Sequence, residues 1–344
     1  MSKDEFLSVG GQAIVEGVMM RSPKYFAVAC RAPNKELIVQ AEPIEKTWIG
    51  RQKWLKIPFL RGSWALLDAM TLGTRAMKFA SNVQLAPEYQ PVDPEASAKV
   101  ELMMKEEGDT TAITPEIIIE KEISAAKKIQ EGLVFTTIIL SLVFGLVAFK
   151  LMPQALGTYL REKQNFGDIQ TNAIIELIHA VFFIGYLVAI GQLAMVKEVF
   201  RYHGAEHKAI NAWEAELPLT MENCQAQTRL HPRCGTSFAI IVIILEFFVF
   251  TFIPRINKGH FLVESVSNFL LHIAILPLIA GVAYELLRFA GKFRHNKLVM
   301  SLFLPGLWTQ YITTQEPRDD QIEVALASLK ACLEGEESLK DVKP

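Results

Sequence analysis

The sequence predicts a mainly α membrane protein: a four-transmembrane-helix bundle with a small N-terminal cytoplasmic β-unit and flanking amphipathic helices. Three observations carry this reading. Hydrophobic residues make up 51% of the 344 residues. They are concentrated in four blocks, at about 133–153, 173–196, 237–254 and 266–287, each near the ~18–25 residues that cross a ~30 Å hydrocarbon layer. Basic residues flank the block ends unevenly, twelve on one face against four on the other. That asymmetry places the N-terminal unit, the loop between the second and third spans, and the C-terminus in the cytoplasm.

Taken in order, residues 1–45 form the β-unit. A glycine pair opens V-G-G-Q-A-I-V-E-G-V-M-M-R, and two strand-like runs, Tyr25–Arg31 and Glu36–Gln40, flank a turn at Ala32-Pro33-Asn34-Lys35. Gly10, Gly11 and Gly17 are expected to supply backbone freedom. Residues 1–9 lack the basic flank and apolar run of a cleavable signal. Residues 46–83 form an amphipathic region in which, over 47–80, tryptophans and six basic residues meet one acid, Asp68. It suits a membrane interface, and equally a helix packed on the β-unit. Residues 84–125 are acidic and proline-rich, and read as a flexible insertion.

The bundle occupies 126–312 and contains a cytoplasmic loop, 197–236. After the fourth span, an apolar segment interrupted by Pro305-Gly306 is too short to cross, so it reads as interfacial or docked on the bundle. Residues 313–344 hold an amphipathic helix and tail. Asp320 and Glu323 fit a capping box, and Ile322, Ala325, Leu326, Leu329 and Leu333 make one stripe. Gly335 is placed to stop the helix.

The polar loop concentrates the chemistry. Three of seven histidines and two of four cysteines fall within 202–236. His203 and His207 are four apart, so on a helix their imidazoles project from one face, as a single metal ion requires. Glu206 lies between them, and H-x-x-E-H is the inverted zinc motif in which the glutamate is a base rather than a ligand. His231-Pro232-Arg233-Cys234 adds an imidazole and a thiol. Four ligands, His203, His207, His231 and Cys234, make the closed structural pattern; three and water make the open catalytic one. His231 is the first choice of third ligand, followed by Glu222, then Cys234 and Glu285. Glu222 is also a proton carrier, Arg233 stabilises developing negative charge, and Glu214 and Glu216 read as surface groups.

A second constellation lies within the spans: Glu176, His179, Glu246, His272 and Glu285. Intramembrane ionisable groups are costly and mark function by default. His179 and His272 are expected at similar depth, facing each other. Glu176-x-x-His179 matches one half of a di-iron pair, but interhelical hydrogen bonding suits it better. Glu285 is expected near the level of His203.

The segments G-G-Q-A-I-V-E-G-V-M-M-R-S-P, Y-H-G-A-E-H-K-A-I-N-A-W-E, L-T-M-E-N, R-L-H-P-R-C-G-T-S-F, P-G-L-W-T-Q and Q-I-E-V-A-L together resemble the YqhQ-like bacterial membrane proteins. The likeness covers nearly the whole chain except 84–122. It implies a cytoplasmic-membrane protein and a metal-dependent role for His203, Glu206, His207 and His231. It implies no substrate, and the peptidase mechanism of soluble inverted zinc motifs does not come with it.

The net charge of −2 excludes nucleic acid as the main partner. The leading expectation is a hydrolase using Zn²⁺, or another divalent transition metal, at the cytoplasmic membrane surface. Its partners are the lipid bilayer and either other membrane proteins or a lipid-linked substrate. The alternatives are a scaffold or assembly factor with a structural metal, and a transporter using the intramembrane His and Glu groups. The transporter is weakened by the lack of internal repeats.

Overall fold

The computed structural model describes residues 9–44, 59–91, 136–137, 139–256, 259–292, 296, 301 and 303–341. Of the insertion expected at 84–125, residues 92–125 lie outside them, as do the tryptophans at 48 and 54. The elements are β1 (Gly10–Ile14), β2 (Gly17–Arg21), β3 (Tyr25–Arg31), β4 (Leu37–Pro43) and α1 (Leu60–Leu85), then α2 (Ile139–Gln164), α3 (Asp168–Ile190), α4 (Ala194–Glu214) and α5 (Met221–Gln225). They end with α6 (Gly235–Phe252), α7 (Phe261–Lys292), α8 (Leu304–Thr313) and α9 (Asp319–Asp341).

The strands form an antiparallel meander in the order β1-β2-β3-β4. Both faces of this sheet are covered. Ile14, Met19, Phe26, Val28 and Cys30 pack on Leu72, Ala76, Ala80 and Val83 of α1. Val18, Met20, Ala27 and Ala29 pack on Tyr202 and Ala205 of α4 and on Ile322, Ala325 and Leu329 of α9. Two-sided burial explains why β2 and β3 read as continuous apolar runs rather than alternating ones.

The glycines act by close approach rather than by unusual dihedrals. Neither Gly11 nor Gly17 has a positive φ, and the turns use Glu16 (φ 50) and Lys35 (φ 70) instead. A Cβ on Gly17 would lie 2.5 Å from the Ala29 carbonyl oxygen.

Helix α1 packs on the β-unit, one of its two expected roles. One side covers the sheet, while Leu66, Leu67, Met70 and Met77 stay exposed. It meets α7 where Gly62 and Gly281 face each other: a Cβ on Gly62 would be 2.9 Å from the Gly281 Cα. Arg61 pairs there with Glu285, whose carboxylate also accepts from Phe59 N–H.

Among the described residues, four helices are long and apolar enough to cross a membrane: Ile139–Gln164, Asp168–Ile190, Gly235–Phe252 and Phe261–Phe289. The first contains a π-helical turn at Val147–Leu151 that carries Lys150, and it extends eleven residues past its expected end at 153. Helix α8 docks on α6, and Pro305 stands at its first turn, where a missing N–H costs nothing. Gly335 does not stop α9, which runs on to Asp341; the Tyr25 ring lies against Gly335, with no room for a Cβ. At the other end the cap is not the expected Asp320/Glu323 box. Gln321 accepts from Arg318 N–H at 3.0 Å, and Glu323 instead pairs with Arg31.

Candidate metal centre

The segment expected as a polar surface loop is largely buried and helical. The chain turns at Gly191–Leu193 after α3 and starts α4, where Tyr202 and residues 204–210 are buried. Two contacts fix this helix. Tyr202 donates to Glu16 Oε2 at 3.0 Å, and Gly204 lets the 315–317 segment cross so closely that a Cβ would be 2.1 Å from the Gln315 carbonyl oxygen. His203 and His207 project one turn apart, their ring centroids separated by 4.4 Å.

The return segment is hung on α4 and α8. Asn211 donates to the carbonyls of Thr228 (2.7 Å) and Leu230 (3.1 Å). Buried Gln310 accepts from His231 N–H at 2.8 Å and donates to its carbonyl at 2.7 Å. These bonds deliver Cys234, the residue preceding α6, to the histidine pair. His203 Nε2 is 3.1 Å from Cys234 Sγ. One ligating atom from each of His203, His207 and Cys234 lies within 4.8 Å of the other two.

The opposite edges of both rings are held by carbonyls. His203 Nδ1 is 2.8 Å from Thr313 O, and His207 Nδ1 is 2.6 Å from Arg229 O. A carbonyl only accepts, so each Nδ1 carries the proton and each Nε2 is left as a lone-pair donor. This is the arrangement that orients metal-binding imidazoles. His207 Nε2 is buried without a hydrogen bond of ordinary geometry.

Burial holds His207 below its ordinary range; the nearby His203 and His231 add to this, and the Cys234 thiol opposes it. Burial resists the Cys234 thiolate, but His207 and Thr236 outweigh it, so that thiol lies below its usual value. A neutral imidazole and a thiolate are the forms that bind metal.

Glu206 lies beneath β1. A Cβ on Gly11 would come within 2.8 Å of its Cδ. Burial, reinforced by Cys234, pushes its carboxyl up to about 8, against the opposing effects of His203 and the Gly11 N–H. Its Oε2 is buried with no hydrogen-bond partner among the described residues.

Other expected site residues are placed differently. His231 is 5.6 Å from His207 ring to ring, but its Nε2 turns onto Glu214 at 3.3 Å, so Cys234 rather than His231 completes the three-residue group. Glu214 is therefore not a surface group; it is mostly buried between His231 and Arg233. Arg233 has its charge balanced by that carboxylate. Glu222 is exposed on α5, away from the ligating group. Glu285 is committed to Arg61. Gly11, Gly204 and Gln310 were not anticipated as part of the site. The G-G pair and the glycine inside H-G-A-E-H were visible signals of close backbone approach.

The family described as "Protein of unknown function (DUF1385)" matches residues 57–335, which include His203, Glu206, His207 and Cys234. The chain is 32% identical over 327 residues to the "Uncharacterized protein YqhQ" of Bacillus subtilis (strain 168), covering 94% of this chain and 92% of that protein. No solved structure matches.

Proposed function

This chain belongs to the DUF1385 family, and from its geometry we propose a membrane-bound, metal-dependent hydrolase working at the cytoplasmic membrane surface. His203, His207 and Cys234 hold the metal, Zn²⁺ before other divalent transition metals, because two imidazoles and a thiolate suit that ion. The observation that carries the reading is their convergence, with both Nδ1 edges anchored on carbonyls. Three protein ligands leave a coordination position open, the catalytic pattern. When bound, such an ion acts as a Lewis acid toward water or a carbonyl or phosphoryl oxygen.

The chain's own residues supply the rest. Glu206 takes the proton from attacking water as general base and returns it to the leaving group. A divalent ion bound by His203, His207 and Cys234 would bring the Glu206 carboxyl down from about 8 toward the ionised form a base needs. Gly11 keeps the carboxylate in register, and the Thr313 and Arg229 carbonyls keep the imidazoles neutral and aimed. Arg233 is given no part, since Glu214 neutralises it.

Location supports a substrate at the bilayer surface, a lipid-linked molecule or a membrane-protein segment. A cavity of about 390 Å³ lined by Gly191, Gln192, Lys197, Tyr311 and Gln315 opens beside the segment that anchors His203. The charge asymmetry of the spans supports the cytoplasmic side.

Metal analysis of the purified chain, paired with Glu206→Gln in a deletion strain, tests the reading. The expected result is one divalent metal per chain in both forms, with complementation lost only in the variant. A chain that carries no transition metal overturns it. A Glu206→Gln chain that complements fully makes the metal a structural clasp of a scaffold instead.

A further inference from the structure

The bundle core holds a second ionisable cluster, independent of the metal centre. Glu176 and His179 of α3, Glu246 of α6 and His272 of α7 are all at least nine-tenths buried, and Lys150 of α2 reaches in among them. His179 Nδ1 is 3.4 Å from Glu246 Oε2, 3.6 Å from Glu176 Oε2 and 3.4 Å from Lys150 Nζ. His272 Nδ1 is 3.5 Å from Glu176 Oε1. Two carboxylates thus crowd one imidazole nitrogen, which can donate to only one of them. Glu176 Oε2 has no hydrogen-bond partner among the described residues.

Counting charge shows the imbalance. Lys150 sits on Glu246 Oε1 at 2.5 Å, leaving the second carboxylate with imidazoles rather than a lysine or arginine beside it. Arg255 does not repair this. Its guanidinium belongs to a balanced set with Glu264, Arg161 and Asp168, at 3.4, 2.7 and 3.1 Å along the chain of pairs. An unpaired charge at this depth is expensive, so the cluster favours taking one more positive charge. Lys150 already fills the cation position on Glu246, which disfavours a second metal and favours a proton.

A ladder of polar side chains leads to the cluster. Gln154 Nε2 is 2.9 Å from His272 Nε2, and Gln154 Oε1 is 3.4 Å from Arg255, which also bonds Asn172 and Thr158. Arg255 follows the end of α6 opposite Cys234, so this polar ladder leads to the other face of the bundle. Lys150 itself stands on a π-helical turn, a feature frequent at functional sites. We propose that Glu176, His179 and His272 form an intramembrane proton-binding site, which water reaches along the polar side chains of Gln154 and Arg255 from the face opposite the metal centre. The proton comes from water at that face, is shared on Glu176 and its flanking imidazoles, and returns by the same route.

Infrared difference spectroscopy of the full chain in proteoliposomes, stepped between about pH 5 and about pH 9, tests this with the proton itself as probe. Expected is a protonated-carboxyl or imidazolium signal that is lost in Glu176→Gln and kept in Glu206→Gln. Lys150→Met, which removes the compensating ammonium, should move its midpoint to higher pH. Gln154→Leu should slow its exchange with deuterated water on the Arg255 side. If Glu176→Gln does not fold, His272→Gln and Glu246→Gln make the same comparison. A signal indifferent to every one of these changes overturns the proposal, leaving a fixed hydrogen-bond network. So does a stoichiometric metal lost in His179→Ala but kept in Cys234→Ala.

Discussion

The Nε2 of His203 lies 3.1 Å from the Sγ of Cys234, across 31 residues of sequence. Neither atom has a reason to be there on local grounds. The contact exists because Asn211 and Gln310 pull the intervening segment onto α4 and α8, so that the start of α6 meets the middle of α4. Its consequences for metal binding can be measured.

His203→Ala and Cys234→Ala are each expected to abolish stoichiometric zinc binding. His231→Gln should retain it, with at most the ~10–100-fold loss typical of residues outside the ligand set. Competition against a chelator of known affinity checks this. Equal losses in all three variants would restore His231 as a ligand.

The metal-free protein should show a pH-dependent penalty at Glu206. Its folded carboxyl sits at about 8 against an ordinary 4.5. Between those values the folded chain keeps a proton that the unfolded chain has released, so stability falls as pH rises through the window. Glu206→Gln lacks that term. Thermal unfolding in detergent should find the variant increasingly more stable than wild type from about pH 5 to about pH 8, with the gap absent below about pH 4.5.

Gly204→Ala should be costly and Gly10→Ala should not. At Gly204 the new methyl would meet the Gln315 backbone oxygen at 2.1 Å, whereas nothing lies within 4 Å of a Cβ on Gly10. Overpacking of this kind costs ~1–3 kcal/mol, and an unencumbered surface change stays within about 0.5 kcal/mol. Because Gln315 follows Thr313 closely, Gly204→Ala should also weaken zinc binding. Unfolding temperature and metal affinity falling together would bear that out; normal metal affinity would detach the crossing from the site.

The C-terminal helix should be indispensable to the sheet. Leu329 is fully buried between them, and Glu336 accepts from Ser22 Oγ at 2.6 Å and from Lys24 N–H at 3.0 Å. Leu329→Ala is expected to cost ~2–5 kcal/mol, and Glu336→Ala ~1–3 kcal/mol for the Ser22 and Lys24 donors left without it. Unfolding midpoints measure both. A negligible loss at Leu329 would mean that the helix is not holding the sheet's second face.

Much of the architecture was legible because it depends on short-range pattern. Four apolar blocks announce four spans, since a hydrocarbon layer demands length and hydropathy whatever the helix neighbours are. Tyr25–Arg31 reads as a strand from its β-branched and aromatic content. His203 and His207 share a face because a helix repeats every 3.6 residues. Lys150 was harder to place: a single lysine near the end of an apolar block looks like its boundary until Glu246 is seen opposite.

What the sequence by itself determined, then, is the set of apolar spans and the pairing of His203 with His207, both consequences of local periodicity and solvent. What only the tertiary structure decided is which distant groups complete each site. Cys234 rather than His231 joins the pair because Glu214 holds the His231 ring and Gln310 fixes its backbone. Glu285 goes to Arg61 rather than to the histidines because Gly62 and Gly281 let α1 and α7 touch. Those outcomes turn on competition among partners far apart in the chain, and no spacing rule encodes which hydrogen-bond partner wins.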